Sequence, residues 1–264
     1  MILTLQFIAL LTIEQIEDVR DYIKIKDFEL EIEPGRTFLS DVNQSDAARK
    51  RLITERNAIL TILSRVATTM CPAATNETSY RMYIDQILMG GILLQGSQCE
   101  LVAEPLNVGT EDIIRHADYH ILYKRSDVVV VQGKPPMKLL LSCLPQLAGC
   151  MKGARDKMER AEGWSHPHPH LTTEEVHQKL LSVPSYGILT SGNEWVFAKY
   201  FFDATLQQWR FIHTTPIVLP IYTRQDDTKR QGKIKNLQKD PLEHILGSIA
   251  AILNMQVKAV DASL

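Results

Sequence analysis

An α+β or α/β domain with a mixed central β-sheet flanked by helices is the fold this sequence predicts. Three observations predict it. Apolar residues recur at helical spacing through residues 45–67 and 76–88. Three strand-like runs then crowd into residues 99–134, and the third contains the unbroken apolar tetrapeptide 128–131. After a further helical stretch, residues 185–190 and 194–202 read as two strands around the turn Ser191-Gly192-Asn193. Helices, strands, a helix, more strands and a closing helix make up the order of a mixed-sheet domain.

The elements follow in order. Residues 1–33 mix apolar and acidic positions and read as a helical or strand-helix lead-in, closed by the turn signal Pro34-Gly35. The helix over 45–67 carries Leu52, Ile59, Leu60 and Leu63 on one stripe, with Ser45 or Asp46 as its cap. The helix over 76–88 carries Tyr80, Tyr83, Ile84, Ile87 and Leu88, and Gly90-Gly91 and Gly96 are expected to break the chain after it. Strands are expected over 99–108, 118–124 and 128–134, the last in the middle of the sheet because it is apolar on both faces. A helix over 137–157 contains Pro145, which should kink or divide it. Residues 173–181 read as a short helix and 209–213 as another strand. Asp240-Pro241 opens a final helix to about residue 257.

The chain has 264 residues, 45% hydrophobic and 23% charged, which is enough to bury a sizeable core. Its net charge of -2 means that any surface for nucleic acid must be a local patch. Cys71, Cys99, Cys143 and Cys150 show neither CxxC pairs nor zinc spacing, and read as free buried thiols in a reducing compartment. The apolar residues 1–13 lack a basic leader and a cleavage site, and fall short of the ~20 residues that span a bilayer. A soluble intracellular protein, cytoplasmic or nuclear and without a membrane partner, is expected.

The chemistry centres on Asp118 and Gln132-Gly133-Lys134. Side chains two apart on a strand share a face, so Gln132 and Lys134 point together. A turn of residues 124–126 sets Asp118 opposite Gln132, and one of 125–127 sets it opposite Lys134; both put the acid on their face. A two-residue turn sets it opposite Gly133 with the opposite facing. An acid, an amide oxygen and a lysine in one cleft can bind and use a hard cation. Glu77 is a candidate further carboxylate, Glu100 and Glu104 weaker ones, and the Gly133 carbonyl a possible extra ligand. The bland alternative is a strand leaving the core through Gln and Lys, with Asp118 as a turn residue.

The segments 76–81, His116-Ala117-Asp118-Tyr119-His120-Ile121-Leu122 and Val128 to Pro135 resemble the PD-(D/E)XK nuclease superfamily. Pro145-Gln146-Leu147 looks like its helix with an inward glutamine, and residues 186–197 like its closing hairpin. The branches most similar are the nuclease part of type I restriction subunits and the nuclease-like domains of Crinkler-type effectors and mobile elements. The resemblance covers residues 75–215.

It implies a restriction-endonuclease-like fold over 71–264, with residues 1–70 as a helical lead-in or lobe. It implies Mg²⁺ or Mn²⁺ as cofactor and nucleic acid, DNA above all, as substrate. Asp118 matches the metal-binding acid, Lys134 the catalytic lysine, Glu77 the helical acid and Gln146 the bracing glutamine. Gln132 stands where the second acid usually stands; it offers an oxygen but no charge. An inactive module for nucleic-acid or protein binding is the alternative that this replacement suggests.

Other features have plainer readings. Lys229, Arg230 and Lys233, within a charged run that also holds Arg224 and Lys235, are candidate phosphate contacts or simply a solvated loop. His166, His168 and His170 alternate with prolines as a polar loop, with no partner ligand placed for a metal. Trp195, Phe197 and Trp209 suit a core, although aromatic rings can also stack on bases.

Overall fold

The computed structural model describes residues 46–69, 77–96, 98–103, 117–124, 126–134, 140–160, 183–219 and 239–263. The expected lead-in over 1–33, the helix over 173–181 and the charged run 224–235 lie outside these residues. The described elements are α1 (Asp46–Thr69), α2 (Glu77–Gln95), β1 (Glu100–Ala103), β2 (Tyr119–Tyr123) and β3 (Ser126–Gly133). A 3₁₀ turn, Leu140–Cys143, leads into α3 (Leu144–Arg160). Then come β4 (Ser185–Thr190), β5 (Glu194–Asp203), β6 (Gln208–His213), β7 (Ile217–Val218) and α4 (Lys239–Ser263).

The strands form one open seven-stranded sheet in the order β1-β2-β3-β4-β5-β6, with β7 pairing the start of β5. Every pairing is antiparallel except β3 with β4. A parallel pair cannot be joined by a tight turn and needs a crossover. Here α3 lies between β3 and β4 in the chain and packs on both. The coarse α+β expectation, a mixed sheet with flanking helices, agrees with this architecture.

Alternation along the strands divides the core between the two faces. Tyr119, Ile121, Val129, Val131, Tyr186, Ile188, Trp195 and Phe197 bury themselves with α1, α2 and α4. Val130, Leu189, Val196, Ala198 and Tyr200 bury themselves with Leu147, Cys150, Met151 and Ala154 of α3. Each fully buried Val, Leu, Ile, Phe or Met among them contributes roughly 1.5–3 kcal/mol. The stripes expected on α1 and α2 face the first of these cores, with Leu60 only partly buried.

The aromatic residues are structural. Trp195 is fully buried and donates its Nε1–H to the Gly192 carbonyl at 2.9 Å. Trp209 stacks on Tyr200 at 4.8 Å, and the buried guanidinium of Arg155 lies 5.3 Å from its ring centre. Among the described residues, α4 alone is long and apolar enough to cross a membrane, and most of it is buried inside the fold, as in a core helix.

One local expectation is met and another is corrected. Pro145 divides the expected long helix: it sits in the first turn of α3, where its missing N–H costs nothing, and the 3₁₀ turn precedes it. Gly90 and Gly91 do not break α2, which runs on to Gln95 and ends at Gly96 with φ 115°. They are sites of close approach. A Cβ on Gly90 would lie 2.2 Å from Ile59 Cδ1 of α1, and one on Gly91 2.3 Å from Ile249 Cγ2 of α4.

Gly91→Ala should therefore lower stability by roughly 1–3 kcal/mol through overpacking. Alanine's gain in helix propensity, up to about 1 kcal/mol, acts in the other direction. Urea denaturation measures the balance, and a higher midpoint would reinstate the helix-breaker reading.

Candidate active site

Asp118 stands one residue before β2, and Lys134 one residue beyond β3. The two lie at the same end of the hairpin, away from its turn. Tyr119 pairs with Val131, which sets Asp118 opposite Gln132. Beyond the paired residues the Asp118 N–H donates to the Val131 carbonyl at 3.0 Å, one residue off that register.

The route to this register corrects the sequence reading. Tyr123 pairs with Ser126, so the turn is a two-residue one, and Lys124 takes φ 49°. That turn alone would bring Asp118 opposite Val131 and flip its side chain. A register shift between Ile121 and Leu122 adds one residue on β3 and reverses the flip. Its trace is visible in the packing: Val128 and Val129, adjacent in sequence, enter the same core.

The acid is held by named donors. Asp118 Oδ2 accepts the Gly133 backbone N–H at 2.7 Å and the Gln132 side-chain NH₂. Asp118 Oδ1 accepts from Arg81 Nη2 of α2 at 3.0 Å. Lys134 Nζ donates to Gln146 Oε1 of α3 at 2.6 Å, and its backbone N–H donates to the Thr190 carbonyl at 2.7 Å. Gln132 Oε1 faces the Cys150 thiol at 3.8 Å. Thr190 begins the turn into β5, and its Oγ1 accepts the Gly192 N–H at 2.9 Å. β3, α3, α2 and the β4–β5 turn therefore meet around one carboxylate and one ammonium.

Of the expected residues, Asp118, Gln132, Gly133, Lys134 and Gln146 come together. Glu77 is the first residue of α2, and its side chain lies outside the described ones. Lys229, Arg230 and Lys233, the His166–His170 run and Glu104 also lie outside them. Glu100 does not join the site: it is exposed on the edge strand and pairs with Leu122, four residues along β2 from Asp118.

Two groups were missed. Arg81 lies four residues after Glu77, hence on the same helix face, which is a legible signal. The second is a polar chain under α3, nearer the hairpin turn, built on the buried pair His120 and Asp127. His120 Nδ1 meets Asp127 Oδ1 at 2.6 Å, and Lys157 of α3 donates to Asp127 Oδ2 at 3.0 Å. Burial alone would raise the Asp127 carboxyl, but the hydrogen bonds and charges of His120 and Lys157 outweigh it and hold the group below its ordinary value.

Among the described residues, no three of His, Cys, Asp and Glu gather as a metal-binding group. The donors around Asp118 are one carboxylate, one side-chain amide and backbone carbonyls. All are hard oxygen ligands, and Mg²⁺ binds through few of them while keeping several waters. As placed, Asp118 accepts from Arg81, Gln132 and Gly133, so such an ion fits once the Gln132 amide turns its oxygen toward Asp118 and Arg81 moves off it. No family model, curated protein or solved structure matches this chain.

The depressed Asp127 carboxyl has a stability consequence with a definite sign. Its contribution is present above the ordinary carboxylate value of 3.8 and is lost as pH falls from there through its lower folded value. Asp127→Asn should flatten that acid limb and cost roughly 1–3 kcal/mol at neutral pH. Most of that loss falls on the buried His120 contact, because Lys157 is half exposed and screened. Thermal midpoints between pH 7 and the acid limit measure both effects.

Proposed function

We propose that this chain is a divalent-metal-dependent nuclease of the PD-(D/E)XK type, with a restriction-endonuclease-like fold, hydrolysing phosphodiesters in DNA. The observation that carries the reading is the contact of Asp118 with Gln132 and Gly133 at the end of β3, directly before Lys134, whose ammonium Gln146 holds. The element order supports it: a helix, a three-strand antiparallel meander, a helix, then a strand parallel to the third.

Asp118 would hold Mg²⁺ or Mn²⁺ together with Gln132 Oε1 and the Gly133 carbonyl, and Glu77 would add a second carboxylate. The bound cation supplies Lewis acidity at a phosphodiester oxygen and a more acidic water. The Gly133 N–H orients Asp118 from one side. Lys134, its ammonium held by Gln146, lies where charge would develop on the phosphorane-like transition state, or where it can orient the attacking water. Lys229, Arg230 and Lys233 are assigned to contacts with backbone phosphates.

A second reading is a nuclease fold kept as a non-cutting module for nucleic-acid or protein binding. Gln132 in place of an acid, together with the N–H donors now on Asp118, favours it.

Plasmid and single-stranded DNA incubated with Mg²⁺ or Mn²⁺ separate the two. Cleavage should fall on the order of 10²–10⁴-fold in Asp118→Ala and Lys134→Ala, the scale of losing a cation ligand or a charge-stabilising group. Equal activity in all three proteins removes the catalytic assignment, and no cleavage by any of them leaves the binding module.

A further inference from the structure

We propose that Arg81 is a latch on the site: it neutralises Asp118 in the free protein and passes to a backbone phosphate when nucleic acid and cation bind together. The inference deepens the nuclease reading and rests on it. Its foundation is the ion pair between Arg81 Nη2 and Asp118 Oδ1 at 3.0 Å, between side chains 21% and 16% exposed. The three named donors on Asp118 differ in how they can leave. The Gly133 N–H is fixed in the backbone, and the Gln132 amide belongs to a side chain only 3% exposed. Arg81 is the charged donor, on a long side chain with solvent beside it.

A guanidinium and a divalent cation are like charges that compete for the same carboxylate. Asp118 cannot serve both at full strength, so a cation entering alone must displace Arg81 into water. A phosphodiester changes the balance. The planar guanidinium fork matches phosphate oxygens in bidentate fashion, so Arg81 gains a partner as it releases Asp118. Arg81 lies one helical turn beyond Glu77 on α2, with its guanidinium on the Asp118 carboxylate. Cation and nucleic acid then bind cooperatively, and by linkage each strengthens the other by the same factor. The arrangement also disfavours loading of metal without substrate.

Calorimetric titration of the whole chain with Mn²⁺ tests the latch, with and without a short phosphorothioate duplex that resists cleavage. Without DNA, Arg81→Gln should bind Mn²⁺ about five-fold more tightly than wild type, the scale of a partly exposed ion pair. Adding the duplex should tighten Mn²⁺ binding in both proteins, because the phosphate itself ligates the cation, but about five-fold more in wild type than in Arg81→Gln. Arg81→Lys retains the charge but not the fork; it should match wild type without DNA and gain less from the duplex. Mn²⁺ binding no tighter in Arg81→Gln, or an equal gain from DNA in both, overturns the latch. Asp118→Asn tells that failure from failure of the nuclease reading. If it abolishes Mn²⁺ binding, the metal site stands and the latch alone falls. If it changes nothing, the metal assignment falls and takes the latch with it.

Discussion

A register shift of one residue between β2 and β3 governs where the polar side chains of the cleft point. Strand side chains alternate with a period of two, so a slip by one exchanges the faces of everything beyond it. The tight turn at Lys124 and the shift between Ile121 and Leu122 are two such slips that cancel. Because they cancel, Asp118 lies opposite Gln132 and joins its hydrogen-bond network. At the end of the hairpin the carboxylate reaches both the Gln132 amide and Arg81 of α2, so it sits at the rim between the two faces. The same shift lets Asp127 face α3, where it meets His120 and Lys157.

The sheet face under α3 is therefore chemically divided along its length. Near the hairpin turn, Asp127 is paired with the buried His120 and the half-exposed Lys157 and serves stability. At the opposite end, Asp118 and Lys134 are held by separate partners, Arg81 and Gln132 for one and Gln146 for the other. Between the two polar groups lies the apolar contact of Val130 with α3. On the other face the core is continuous, and glycines at 90 and 91 let three helices close upon each other there. The rigid side supports the reactive one: α2 is packed tightly along the glycines and carries Arg81 near its beginning.

Much of this was legible in the residues. The apolar tetrapeptide 128–131 placed β3 in the interior, and its two neighbours are β2 and β4. The Ser191-Gly192-Asn193 turn was readable from composition, with Gly192 at φ 80° where a side chain would be strained. The roles of Gly90 and Gly91 were not readable, because glycine serves as breaker and as close-contact residue alike, and only a facing helix distinguishes these. Pro145 was ambiguous in the same way, until the 3₁₀ turn before it showed where α3 starts. β7 is two residues long and carries no periodicity to detect.

The sequence by itself determined which residues could form the site and which strands and helices carry them, because side-chain chemistry and local periodicity are properties of short segments. It left Asp118 with more than one possible facing, since turn length and a bulge are settled by long-range pairing. Tertiary structure alone decided that facing, brought Gln146 of α3 to Lys134, and set Arg81 of α2 on the acid. Each of those contacts joins segments that local pattern treats as independent. They form only when burying the two cores presses α2 and α3 against the sheet.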